Sequence, residues 1–426
     1  INNIIFITID SLRFDRIGYH AGLENKTPNI DRLINNGWDC VNTTSHGCPT
    51  QIAMPSVMSS TLPLEHGGYD RGIKKRPVVL AEVLKKEGFR TKAFVSGSAL
   101  TQFFNYDRGF DSFTQFTSYD LAWFSYRKLY FNYYYQRFMS NDISEKDFIN
   151  EVHKFLKSFF EYLINECEQK IEQIERNNII FDYHIQNSDY KEILISIKDE
   201  NEKLRILGTS YVKNKFDEIK IEDTSYDQII AQISFENYFL KKNTFLKQSY
   251  KLKKYFLENI IKKIIDGLSI KWMKIQRAYE GMSGDEIMIN NFARSIRKDT
   301  LGKNFIWMHM IDLHGKRTEE NQIQFATANS KNKKIFQHGS DRFYDLSLNK
   351  TDKNIGRIIN ELSMLNMLKN TLIVLTSDHG HVAGAPNRNL GLGSASFYEE
   401  FTHIPLIFYN QNYLNKKSID DQCCAM

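Results

Sequence analysis

The chain predicts an α/β fold, with a mostly parallel central sheet, flanking helices and one large helical insertion. Three observations support this. Short apolar runs at 3–9, 304–311 and 372–377 have the unbroken hydrophobicity of strands buried on both faces. Each run is followed by Asp, or by Asp and His in close succession. Between about 119 and 281 the alternation of strand and helix gives way to long, Lys-rich helical pattern.

The first strand, 3–9, ends at Asp10-Ser11-Leu12-Arg13, where α/β sheets place their ligands; Asp10 on its own could equally cap the next turn. Thr27-Pro28-Asn29 opens a helix to Asn35, closed by Gly37, and a strand is expected over 38–41. Cys48-Pro49-Thr50 makes a turn into a short helix of small residues and methionines, stopped by Pro63 and Gly67-Gly68. Taken alone, Thr50 reads as a helix N-cap; the start of a helix also suits an anion. A helix at 79–86 and a strand at 91–95 follow, then 105–113 reads as an aromatic loop.

The segment 121–138 is aromatic and basic, suited to a buried helix, a lid or contact with a membrane surface. Phe148, Val152, Phe155, Phe159, Leu163 and Cys167 then recur at helical spacing. A helix at 285–297 leads to the second apolar strand, which ends in Asp312-Leu313-His314-Gly315; 316–337 reads as a polar loop. A long surface helix over 342–368 precedes the third strand, which ends in Asp378-His379-Gly380-His381. The last strand, 403–409, carries His403 at its mouth, and the tail beyond Asn415 reads as ragged. The expected organisation is 1–115 and 284–415 as two parts of one catalytic domain, 116–283 as the insertion and 416–426 as the tail.

Length and composition narrow the function. At 426 residues the chain can bury a large core, and 42% hydrophobic with 25% charged residues excludes a disordered chain. The net charge of +5 is spread along the chain, which argues against nucleic acid and for an anionic substrate. An odd number of cysteines (Cys40, Cys48, Cys167, Cys423 and Cys424) without regular spacing argues against a disulfide framework. No signal peptide or spanning apolar run is read in the chain, and a leader or anchor ahead of Ile1 stays open.

In a parallel sheet the three strand ends gather on one edge, so Asp10, Asp312/His314 and Asp378/His379 are expected to meet. Hard carboxylate oxygens with an imidazole suit a divalent cation, and Thr50 could add its oxygen. Arg13 and Lys74 would hold an anionic group's remaining oxygens, and His314 could protonate a leaving oxygen.

The motifs resemble the sulfatase-like branch of the alkaline phosphatase superfamily. They are ITIDSLRFDRIGYHAG at 7–22, with Ala21 inserted before Gly22, TPNIDRL, CPTQ through STLPLEHGG, LAEVLKKEGFRTKAF, YDRGFDSF, FIWMHMIDLHG, LIVLTSDHGH and EEFTHIPLIFY. They stand in the family's order over roughly 1–115 and 284–410. The resemblance implies an alkaline-phosphatase-like three-layer sandwich and one divalent metal (Mn, Zn, Ca or Mg) held by Asp10, Asp378 and His379. It implies His314 as a substrate-contacting or proton-donating residue. Arg13, His309, Asp312 and His403 become near-site, substrate-binding candidates, whereas Lys74 rests on position alone.

The nucleophile departs from the pattern of true sulfatases, which carry Cys or Ser with Pro two residues on and Arg four residues on. From Cys48 those places hold Thr50 and Ile52, so the signal for formylglycine formation is missing. Counting back from Pro63 puts Thr50 in the nucleophile slot, similar to lipoteichoic-acid-synthase-type and phosphoethanolamine-transferase-type relatives. The expected activity is cleavage or transfer of a sulfate or phosphate ester, of a glycan or surface polymer, through Thr50. The alternatives are a formylglycine sulfatase using Cys48, a phosphoethanolamine or phosphoglycerol transferase, and an inactive scaffold member. Free cysteines point to the cytoplasm and family habit to the cell envelope.

Overall fold

In a computed structural model, residues 1–23, 26–69, 72–97, 99–116, 134, 137–138, 140–181, 187–214, 284–300, 302–314, 341–381 and 397–425 are described. Most of the aromatic-basic segment at 121–138 and the loop expected at 316–337 lie outside them. The chain divides into two compact units, Ile1–Ala122 with Tyr279–Met426, and Trp123–Ala278.

The first unit is built on an eight-stranded sheet of order β5-β4-β6-β1-β7-β8-β2-β9. The three apolar runs are its centre: β1 (Asn3–Ile9) lies between β6 (Asn304–Met310) and β7 (Thr371–Ser377), parallel to both. Every residue of β6 is buried, which requires cover on both faces and explains the lack of polar alternation. β4 (Arg90–Val95) and β5 (Ser112–Gln115) extend one side in parallel. β5 takes up residues that the sequence assigns to an aromatic loop. Its strand is induced by pairing with β4, as is common for short segments with weak patterns of their own.

On the other side β8 (Leu406–Tyr409) runs antiparallel to β7 and to β2 (Trp38–Cys40). Its start therefore lies at the carboxyl edge of β7, with Leu406 opposite Thr376. The expected ragged tail instead supplies β9 (Lys417–Ile419), parallel to β2, and β10 (Cys423–Cys424), which pairs with β3 (Thr43–Thr44). These largely exposed strands are short and bury little apolar surface, so they carry no hydrophobic signature.

Helices fasten the sheet. α1 (Gly18–Ala21) and α2 (Pro28–Asn35) follow β1, α3 (Thr50–Ser59) follows β3, and α4 (Leu80–Lys86) precedes β4. The N-terminus of α2 is capped from elsewhere, since Thr27 gives no side-chain cap. Asp352 accepts the Asn29 and Ile30 amides at 3.0 and 2.9 Å. In the second unit, α5 (Glu145–Asn177) starts at a Ser144/Asp147 capping box, and the stripe from Phe148 to Cys167 is its buried face. It packs antiparallel to α6 (Asn187–Leu207), with Glu168–Lys198 and Glu175–Lys191 ion pairs at 2.7 and 2.8 Å. Among the described residues no helix is long and apolar enough to cross a membrane.

In the first unit, α7 (Gly284–Lys298) precedes β6, α8 (Asp341–Met364) precedes β7, and α9 (Glu399–Thr402) precedes β8. Beyond β7 the backbone is latched to α9: Gly380 N donates to Phe401 O at 2.7 Å and His381 N to Glu400 O at 2.8 Å. The contact leaves no room for a side chain, since a Cβ on Gly380 would lie 2.0 Å from Glu400 O. Gly380→Ala should therefore lower stability by about 1–3 kcal/mol, read as a fall in the urea midpoint at unchanged slope; an unchanged midpoint would refute the latch. Asp352→Ala should cost about 1–3 kcal/mol in the same assay, because it strands two amides at the start of α2.

Candidate active site

Ile9 stands opposite both Ser377 and Met310, so the residues that follow β1, β7 and β6 emerge together at one edge. Immediately after Asp10 the chain turns through the left-handed region at Ser11, φ 68°. The turn is held by three long-range bonds. Tyr344 Oη donates to Ser11 O at 2.9 Å, Leu12 N to Ser377 Oγ at 3.0 Å, and Ser11 N to Asp378 Oδ1 at 3.2 Å. Ser11 Oγ also donates to Asp10 Oδ1 at 2.8 Å. One serine thus ties together two carboxylates, both almost wholly buried.

His309 joins them from β6. Its Nε2 lies 4.0 Å from Asp10 Oδ2, too far for a hydrogen bond, and has no hydrogen-bond partner among the described residues. Nδ1 lies 2.8 Å from Thr8 Oγ1, which itself accepts Trp307 Nε1–H at 3.0 Å. Those bonds are consistent with the tautomer in which Nδ1–H donates to Thr8 and Nε2 turns its lone pair to the carboxylates. Burial drives the His309 pKa down to about 4; Asp378 opposes this, and the charges of His379 and His314 add to it. Gly97, at φ 125°, presses its backbone to within side-chain contact of this ring, and a Cβ there would lie 3.7 Å from Nε2.

His379 approaches from β7, its Nε2 at 3.8 Å from Asp10 Oδ1 and 3.6 Å from Asp378 Oδ2. Nδ1 bonds Gly380 O at 2.7 Å, which fixes the ring and aims Nε2 at the cluster. Burial opposes its protonation, yet Asp378, the Cys48 thiol hydrogen-bonded to it and Asp10 outweigh burial and hold its pKa well above the usual imidazole range.

Thr50 is the first residue of α3, with Pro49 as N-cap, and no side chain caps the helix. Its hydroxyl turns inward, donating to Asp10 Oδ2 at 3.2 Å and lying 3.3 Å from His379 Nε2. The loop ahead of it is anchored to the same strand end, since Ser45 Oγ donates to the Asp378 carbonyl and Ser45 N to Thr402 O at 2.8 Å.

Asp10, Asp378, His379, His309, Thr50 and Cys48 therefore converge. Asp312 is buried in the turn after β6, whose Ile311 and Asp312 amides are held by the Asp285 carboxylate at 3.0 and 2.8 Å. His314 ends that turn and is exposed. Arg13 lies nearby, with its guanidinium engaged by Asp15 at 2.6 and 2.8 Å and by His381 O at 3.2 Å. Two expected residues are occupied elsewhere. Lys74 places its ammonium 4.4 Å from the Phe103 ring centroid. His403 bonds Val41 O at 2.7 Å and stacks on Phe14 at 4.1 Å, because antiparallel β8 turns its mouth toward β3. The supporting set of Ser11, Ser45, Ser377, Thr8 and Tyr344 carried no sequence signal. His309 did carry one, as a lone titratable residue within a fully apolar strand.

Donor atoms of Asp10, His309 and Asp378 lie within 4.8 Å of one another. Among the described residues Asp378 Oδ2 and His309 Nε2 are buried without hydrogen-bond partners, and two buried carboxylates repel unless a positive charge stands between them. The oxygens and imidazole nitrogens present fit a divalent cation.

Comparison with known proteins places this geometry in a family. The sulfatase family model matches residues 2–166 and 208–421. Arylsulfatase K of Canis lupus familiaris is 31% identical over 120 residues, 27% of this chain and 21% of that protein. Iduronate 2-sulfatase of Homo sapiens is 34% identical over 74 residues, 17% of this chain and 13% of the relative. The matched stretches thus span about a fifth or less of these relatives. Among solved structures, the phosphonate monoester hydrolase of Agrobacterium radiobacter aligns over 100% of this chain and 71% of its own, with a TM-score of 0.49 and 14% identity. The chain belongs to the sulfatase family.

Proposed function

We propose that this protein is a metal-dependent hydrolase or transferase that cleaves a sulfate or phosphate ester through a covalent intermediate on Thr50. The observation that carries the reading is the Thr50 hydroxyl, turned away from helix capping and set 3.2 Å from Asp10 and 3.3 Å from His379. Asp10, Asp378, His379 and His309 would hold a divalent cation. When bound, that ion offers Lewis acidity toward an anionic oxygen and lowers the pKa of a neighbouring hydroxyl.

The rest is done by the chain's own groups. Thr50 Oγ1 passes its proton to Asp10, to which it is hydrogen-bonded, and attacks an ester sulfur or phosphorus brought to the carboxyl edge of the sheet. The bond from that atom to the leaving oxygen breaks as the bond to Oγ1 forms. His314, exposed at the rim, supplies the proton to the leaving oxygen. Water or an acceptor hydroxyl then releases the group from Thr50. The names of the matched relatives and the net charge of +5 favour an anionic sulfate ester, of a glycan or cell-surface polymer.

A second reading rests on Cys48. Its thiol is buried and close enough to His379 to raise that residue's pKa, two residues ahead of Thr50. Formylglycine at this position would replace Thr50 as the nucleophile. Peptide mass spectrometry separates the two, since it shows either an intact Cys48 thiol or the aldehyde.

Thr50→Ala should lower turnover of aryl sulfate and aryl phosphate esters roughly a thousandfold or more, the usual scale for losing a nucleophile, with an unchanged circular dichroism spectrum. Full activity in this variant would end the assignment. After EDTA dialysis, Mn²⁺ at a hundredfold excess over its Kd should stabilise the wild type by about 2.7 kcal/mol, read as a thermal shift. Asp378→Asn should abolish that shift while raising the metal-free melting point, because it removes one of two repelling carboxylates. A shift retained in the variant would place the ion elsewhere.

A further inference from the structure

Cys40 is the last residue of β2 and is almost wholly buried, whereas Cys423 opens β10 and is half-buried. They are 383 positions apart, yet backbone bonds fix the two segments on both sides of the pair. Val41 N donates to Ile419 O at 3.1 Å, and Cys423 N donates to Asn42 O at 3.0 Å. Side chains reinforce the junction, with Asn42 Nδ2 on Asp420 O at 2.7 Å and Gln422 Nε2 on Thr44 Oγ1 at 3.0 Å. Asn42, whose carbonyl receives the Cys423 amide, lies two residues from Cys40, so these anchors bring the two cysteines together; the Cys423 thiol itself donates to Asp421 O at 3.5 Å. Cys424, the next residue along β10, takes the opposite face and is exposed.

We propose that Cys40 and Cys423 are a redox site, a dithiol that closes to a disulfide and staples the β9–β10 segment to β2. The backbone bonds on both sides hold the two segments together in the reduced protein, so the pair is kept adjacent before any bond forms between the sulfurs. The bracing reaches the catalytic loop: β3 runs directly into Ser45, whose hydroxyl holds the Asp378 carbonyl ahead of Cys48 and Thr50.

The oxidant is a small-molecule disulfide such as oxidised glutathione. The Cys423 thiolate, the more accessible of the pair, attacks one sulfur and expels one glutathione thiol, leaving a mixed disulfide. The Cys40 thiolate then attacks Cys423 Sγ and expels the second. Two protons and two electrons leave the pair, and one glutathione disulfide becomes two thiols. Burial, with the Cys423 thiol and Asp39 adding to it, pushes the Cys40 thiol up to about 12, so Cys40 is the poorer first attacker and its later attack relies on being held beside the mixed disulfide.

The test uses the full chain, incubated with oxidised glutathione, then denatured and alkylated. Non-reducing peptide mass spectrometry should find a Cys40–Cys423 cross-linked peptide that disappears on reduction, with the other three of the five cysteines alkylated. The oxidised wild type should show a higher urea midpoint than the reduced protein. Cys423→Ser should lose both the cross-link and the midpoint shift, and Cys424→Ser should keep both. Alkylation of both Cys40 and Cys423, a persistent glutathione adduct on Cys423, or a bond between Cys423 and Cys424 would each overturn the proposal. None of these readouts depends on ester cleavage.

Discussion

Two carboxylates, Asp10 and Asp378, are buried side by side at the mouths of adjacent parallel strands, and the surrounding structure is arranged around that fact. Like charges withdrawn from water at such proximity are unfavourable unless donors and a positive charge compensate them. The donors come from both backbone and side chains. Ser11 N and His379 N both give hydrogen bonds to Asp378 Oδ1, and Ser11 Oγ serves Asp10. Reaching that position forces Ser11 into the left-handed region, and Tyr344 and Ser377 hold the turn from a distance. Against burial, Asp378, Cys48 and Asp10 raise the His379 pKa, which shows how strongly the cluster draws positive charge. The remaining acceptors, Asp378 Oδ2 and His309 Nε2, are what a cation would engage.

The loop that carries Cys48 and Thr50 is held at the same centre by a different device. Its helix contains Pro55 and is almost entirely buried, so its position is set by packing and not by helix propensity. Ser45 ties the loop's start to the Asp378 carbonyl, and α9 receives the Gly380 and His381 amides on the far side. Thr50, Asp10 and His379 are thus fixed by three separate segments that share one anchoring point. That accounts for a hydroxyl facing a carboxylate and an imidazole within ordinary hydrogen-bond reach, as catalysis by positioning demands.

Periphery and centre differ in how tightly partners are chosen. Arg13 and His403, both expected near the substrate, find local partners in Asp15, the His381 carbonyl, Val41 O and Phe14. Such pairing steadies the rim of the site and fixes the turn between β1 and α1. His314, in contrast, stands exposed at the end of its turn while its charge is felt at His309.

By itself the sequence determined the strands and their ends. Unbroken apolar runs marked β1, β6 and β7, the helical stripe from Phe148 to Cys167 marked α5, and the acidic strand termini marked Asp10 and Asp378. These features are encoded within a few neighbouring residues, where hydrophobic period and turn chemistry act. Only the tertiary structure decided that His309 belongs with the carboxylates, that His403 stacks on Phe14, and that residues 417–424 pair with β2 and β3. It alone brought Cys40 to Cys423. Each of these depends on strand register and on competition among partners hundreds of residues away, and a local pattern carries no record of either.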